Sequence, residues 1–148
     1  MAIWGNHSPT MFPDAWNARI GGRPAPEVIG DEAWPKDRFL PAVQQRGAKV
    51  IEARGASSAV SAANAVVDCV RSIATRTPPN DWHSAAVVSH GEYGIPEGLV
   101  FSFPLRGDGE NWHVVAGLDL SPFAREKLHL TTQELLQERS AARELLEA

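Results

Sequence analysis

Several things are scarce in this 148-residue sequence, and each scarcity closes off a class of protein. There is one cysteine, Cys69, so neither an intramolecular disulfide nor a cysteine-based zinc site can form. With Val66, Val67 and Val70 around it, Cys69 is expected to act as a small buried hydrophobe rather than a reactive thiol. Positive charge is not in excess: the net charge is −4 and the basic residues are scattered, which argues against nucleic-acid binding. No apolar run approaches the roughly 18 residues of a membrane span. The amino terminus lacks a basic stretch followed by an apolar one, so no membrane association is expected and the protein is expected to be soluble and cytoplasmic. A glycine-rich phosphate loop between a strand and a helix is also lacking, so no dinucleotide-binding domain is expected in this chain.

What remains is ordinary globular composition, 43% hydrophobic and 22% charged, in one domain's length of chain, residues 1–148. Met1-Ala2-Ile3-Trp4 reads as the end of a strand that ought to begin upstream, so the chain looks cut. Residues 15–20 alternate like a short strand, Gly21-Gly22 signals a turn, and a second strand through Val28-Ile29 would complete a hairpin. Asp31 is placed to cap a helix over about 32–46, with Pro35 in its first turn and a kink at Pro41. Gly47 should end or bend it, before a short helix or extended piece over residues 48–53.

The clearest helix lies at 58–76: Ser61, Asn64, Asp68, Arg71 and Thr75 form a polar stripe and nearly everything else is apolar or small. So wide an apolar face predicts burial against more than one neighbour, in the middle of a domain. Strands follow at 84–89, 99–105 and 112–118, the last two as an antiparallel hairpin. Ser121-Pro122 then opens a long charged helix whose buried side is expected to carry Leu128, Leu135, Leu145 and Leu146. The fold class is α+β, a small antiparallel sheet with long helices packed on it.

Two segments can carry chemistry. His7, in the turn Gly5-Asn6-His7-Ser8, could be a general acid/base presented by a loop, or simply a surface or structural histidine. Ser57 and Ser58 precede the apolar helix, where small residues leave N–H groups open to an anion; equally, one of them is that helix's N-cap. The five histidines show no ligand-like spacing, so no metal is expected and a metal-dependent hydrolase is disfavoured.

Three motifs add a resemblance. Ile3-Trp4-Gly5-Asn6-His7-Ser8 is very similar to the active-site histidine segment of the malate/lactate dehydrogenase family, in its malate branch. The run from Arg54 to Ala65 resembles that branch's small-residue helix start, and Tyr93-Gly94-Ile95-Pro96-Glu97-Gly98-Leu99 resembles the loop before its late hairpin, although His90 stands nearby where relatives commonly carry an acid. The motifs keep the family's order and run the length of the chain. The resemblance implies the family's carboxy-terminal, substrate-side domain, with its nucleotide-binding half absent.

It further implies NAD as cofactor, malate and oxaloacetate as substrates, and His7 as the residue that takes the proton from the substrate hydroxyl and returns it. Ser57, and less directly Ser58, would line the substrate and nicotinamide pocket. Arg54 matches neither of the family's substrate-clamping arginines and reads as a surface or structural ion pair. A homo-oligomer, dimer or tetramer, is expected of the full-length form. The isolated chain is expected to be inactive and to associate with itself or be poorly soluble. The alternative is a non-catalytic interaction module that keeps the domain's packing surfaces.

Overall fold

The computed structural model describes residues 1–147. The elements run β1 (Ala2–Trp4), β2 (Phe12–Asp14), β3 (Arg19–Ile20), β4 (Arg23–Pro24), α1 (Ala25–Ile29) and a π-helical turn at Pro35–Phe39. They continue with α2 (Leu40–Gln44), α3 (Arg46–Arg54), α4 (Ala59–Ala74), β5 (His83–Val88), a 3-10 turn at Glu92–Gly94, β6 (Val100–Gly107), β7 (Trp112–Val114) and α5 (Pro122–Leu146). The fold is α+β, with three small antiparallel sheets: β1-β2, β3-β4 and β5-β6-β7. No helix among the described residues is long and apolar enough to cross a membrane.

The core gathers where β1, β2, the β5-β6-β7 sheet and α5 meet. Trp4, Phe12, Phe101 and Phe103 are wholly buried there, with Leu105, Leu128 and Ile95 filling between them. Trp4 stands edge-on to Tyr93 at 4.8 Å between centroids and to Phe103 at 6.3 Å, the T-shaped arrangement that the charge distribution of aromatic rings favours. Side-chain hydroxyls pin β1 to the large sheet: Ser84 Oγ accepts from Ile3 N at 2.8 Å, and Ser102 Oγ donates to Ile3 O at 2.7 Å.

The late strands and the last helix follow the sequence reading. β5 and β6 fall within a residue or two of the expected bounds, β6 and β7 are antiparallel, and Ser121 caps α5 by accepting from Ala124 N at 3.2 Å. The strand expected over 112–118 stops at Val114. On α5, Leu128 is buried and Leu135 packs against the core, but Leu145 and Leu146 stand 81% and 87% exposed. Among the described residues nothing covers the last turns of this helix.

The amino-terminal half departs further. The turn at Gly21-Gly22 forms where expected, both glycines at positive φ (58° and 81°), but its strands are two residues each. Pro24 has no N–H to extend the ladder, and Val28 and Ile29 lie in α1, not a strand. Phe12–Asp14, not foreseen as a strand, pairs with β1, its Pro13 tolerated because β2 is an edge. Asp31 does cap, accepting from Ala33 N and Trp34 N at 3.0 and 3.1 Å, but regular helix starts only at Leu40. The π-helical turn sits just ahead of Pro41, which cannot donate to the preceding turn.

The largest correction concerns α4. It spans 59–74 as its periodicity required, yet it contains no buried residue. Val60, Val66, Val67, Val70 and Ile73 are between 41% and 81% exposed, and Cys69 is only half-buried. Its carboxy-terminal end is what ties it down: past it, Thr77 N donates to Gly107 O at 2.9 Å and Thr77 Oγ1 accepts from Gly107 N at 2.8 Å.

Candidate functional site

His7 lies three residues past the end of β1, in a loop that is fixed from two sides. On one side, Gly5 extends the sheet by a reciprocal pair of backbone hydrogen bonds with Ser102, both 3.1 Å. On the other, α5 comes so close that a Cβ on Gly5 would lie 2.4 Å from Thr131 Oγ1 and Cγ2. Gly5 also sits at φ +91°, so both its conformation and its lack of a side chain are used.

Two turns of α5 then hold the loop by their side chains. Thr131 Oγ1 accepts from Asn6 N at 2.9 Å, and the Glu134 carboxylate accepts from Asn6 Nδ2 at 3.1 Å and from the Ser8 and Thr10 hydroxyls at 2.5 Å each. Glu138 takes the second Asn6 amide hydrogen at 2.9 Å. Partial burial pushes the Glu134 carboxyl upward, but the three donors together outweigh it and hold it below its ordinary value. At neutral pH it is therefore an ionised acceptor, and hydrogen bonds to a charged acceptor are stronger than neutral ones.

His7 itself is exposed, and no hydrogen bond to its ring is found among the described residues. Its neighbours on both sides are immobilised while the imidazole is left uncommitted. Such a side chain can take a proton from, or return one to, a group brought against it.

The serines are less distinctive. Ser58 occupies the N-cap position of α4 but makes no capping bond with its side chain, while Ser57 is exposed and its carbonyl accepts from Ala59 N at 3.1 Å. No hydrogen bond joins either serine to His7 among the described residues. Two roomy clefts, about 580 and 520 Å³, lie elsewhere, and neither is lined by His7, Ser57 or Ser58. Arg54 is exposed at the end of α3 and, among the described residues, without an ion-pair partner. Thr131, Glu134 and Glu138 escaped the sequence reading: they lie more than 120 residues from His7, and only their shared helix face marks them.

A dinucleotide finds no fitted cradle among the described residues. All three sheets are antiparallel, and Gly21-Gly22 serves a hairpin rather than a strand-to-helix loop. Nor do three or more histidine, cysteine or acidic side chains converge there as a metal site would require.

Comparison with known proteins bears on the chain as a whole. The alpha/beta C-terminal domain of lactate/malate dehydrogenase matches residues 1–145. Malate dehydrogenase from Naegleria fowleri is 39% identical over 97% of this chain and 44% of its own, with a TM-score of 0.88. A lactate dehydrogenase from Trichomonas vaginalis, in complex with NADH and oxamate, is 32% identical over 98% of this chain and 46% of its own, with a TM-score of 0.89. Malate dehydrogenase from Salinibacter ruber, at 19% identity and a TM-score of 0.82, shares the fold. The chain thus spans less than half the length of these relatives. Fold, coverage and identity together assign it: the chain belongs to the lactate/malate dehydrogenase family, as its alpha/beta C-terminal domain.

Proposed function

We propose that this chain supplies the substrate-side catalytic domain of an NAD-linked malate dehydrogenase, with His7 as the group that accepts the proton from the malate hydroxyl and returns it to oxaloacetate. The observation that carries the reading is the clamp around His7: Gly5, Asn6, Ser8 and Thr10 are all fixed against Thr131 and Glu134, and the imidazole between them is exposed and unpartnered. Rigid support with a free functional group is what acid–base catalysis asks of a loop.

Malate rather than lactate is supported by the segment Gly55-Ala56-Ser57. These residues are small and exposed, and the run from Arg54 to Ala65 resembles the malate branch's small-residue helix start. Ser57, with Ser58 behind it, would line the substrate pocket. NAD would be held by a nucleotide-binding unit that the described residues do not form, so turnover requires such a unit beside this one.

The test is oxaloacetate-dependent NADH oxidation. The chain alone should give no turnover. Joined to the nucleotide-binding portion of the Naegleria enzyme it should turn over, and His7→Asn in that chimera should lower kcat by about a hundredfold or more, the usual worth of a general acid/base. Unchanged kcat in His7→Asn would refute the assignment. A second reading, a non-catalytic interaction module, draws on the uncovered apolar side chains of α4. A folded chimera without activity would favour it. On either reading the assembled protein is proposed to be a homo-oligomer.

A further inference from the structure

The larger of the two clefts, about 580 Å³, lies between the β3-β4 hairpin and the entry to the main sheet, away from His7. Its walls include Trp16, Trp82, Val115 and Leu118, and two guanidiniums line it, Arg19 and Arg106. No carboxylate side chain is among its lining, and among the described residues neither arginine is ion-paired. Each is instead anchored at one nitrogen by a backbone carbonyl: Arg19 Nη1 donates to Gly22 O at 3.0 Å, Arg106 Nη2 to Pro78 O at 3.3 Å. The remaining N–H groups are left for another acceptor. Such anchoring meets part of the ordering cost before any ligand arrives. Trp82 lines both this cleft and the smaller neighbouring cavity, with its indole nitrogen buried, so what it offers the cleft is its ring.

We propose that this cleft is a binding site for a small organic anion: a carboxylate or phosphate head against Arg19 and Arg106, with a flat apolar body between Trp16 and Trp82. Two guanidiniums with spare donors suit an anionic oxygen pair, because the planar fork matches carboxylate and phosphate alike. A bare inorganic ion would leave the aromatic walls unused. A volume near 580 Å³ lies within the range of small-molecule sites and exceeds the needs of a single ion. Asp81 borders the smaller neighbouring cavity, and the buried Asp14 carboxylate accepts from the lining residues Trp16 N and Asn17 Nδ2, so negative charge is nearby without lining this cleft. The site is independent of His7 and of the dehydrogenase reading.

The test is calorimetric titration of the chain with sodium benzoate at low salt, followed in parallel by tryptophan fluorescence, with inorganic phosphate as competitor. One saturable site is expected, with Kd at or below about 1 mM. Arg19→Gln with Arg106→Gln should weaken benzoate binding about tenfold or more while leaving the circular dichroism spectrum unchanged. Trp82→Ala, which removes an aromatic wall, should weaken it severalfold. Displacement of benzoate by phosphate at higher concentration supports an anionic-head site. Failure of saturation by about 10 mM, or equal binding by the double-glutamine variant, overturns the proposal. Uptake by the apolar side chains of α4 would show itself as that second outcome.

Discussion

Two regions of this molecule are built from similar apolar residues and meet opposite fates. Around β1, β6 and α5, Trp4, Phe12, Phe101 and Phe103 are sealed from water, and hydroxyls and backbone groups tie the strands together. In α3 and α4 not one residue is buried, although Val66, Val70 and Ile73 line up at i, i+4 and i+7 as a core-facing stripe should. Apolar pattern makes a face; only a second element makes it a core. Stability is therefore concentrated in the first region, and the second presents surface that a further unit or copy can cover.

That contrast can be broken most directly by truncation. Phe103→Ala, at a wholly buried site, should cost about 3–5 kcal/mol, against about 0.5 kcal/mol or less for Val66→Ala, by denaturant unfolding. Comparable losses at both sites would mean that α4 is packed after all. Next in size is Gly5→Ala, which forces a side chain into positive φ and onto Thr131; about 2–4 kcal/mol is expected. Thr131→Ala should restore part of it by removing Oγ1 and Cγ2, though not the backbone strain. If Gly5→Ala melts like the parent chain, α5 does not press on the loop.

Glu134→Gln should cost less, about 1–2 kcal/mol, because the carboxylate is partly open to solvent. It should raise amide exchange across residues 5–10 without unfolding the core. The clamp also gives acid sensitivity a definite sign. Since the Glu134 carboxyl is held below its ordinary 4.5, its contribution is complete above that value and is lost as pH falls beneath it. His83 acts earlier. Burial lowers its imidazole below the ordinary 6.5, partly offset by Asp81, so the fold favours the neutral form. Stability should be level above about pH 6.5, decline below it, and decline further under 4.5. In Glu134→Gln the second decline should become shallower while the first remains, the rest coming from Glu92 and Asp108, which backbone N–H groups hold below their ordinary values; an unchanged second decline would contradict the clamp.

The smallest effect on stability carries the sharpest message about α4. Val66→Lys with Val70→Lys should shift unfolding by less than about 1 kcal/mol, yet diminish self-association in sedimentation velocity. A parent chain that sediments as a monomer at all concentrations would remove the reason to assign that face a partner.

How far the sequence could be read varies along the chain in a way that physics accounts for. Strands β5 and β6 and the cap at Ser121 were legible because alternation and N-cap chemistry are local. Strand β2 was not, since Phe12-Pro13-Asp14 has no strand signal until β1 lies beside it. Val28 and Ile29 read as strand by residue type and fold as helix α1 behind Pro26. His7 could be singled out by its segment, whereas its clamp could not, because Thr131 and Glu134 become its neighbours only when α5 folds back across the sheet.

By itself, then, the sequence determined the α+β class, the helical periodicity of α4, the capping of α5 and the segment bearing His7, all properties carried by residues within a few positions of one another. Tertiary structure alone decided which apolar faces are covered, why Gly5 must be glycine, and which carboxylate holds the loop beside His7. Those depend on surfaces meeting across more than a hundred residues of chain, and no local pattern records which surface will arrive.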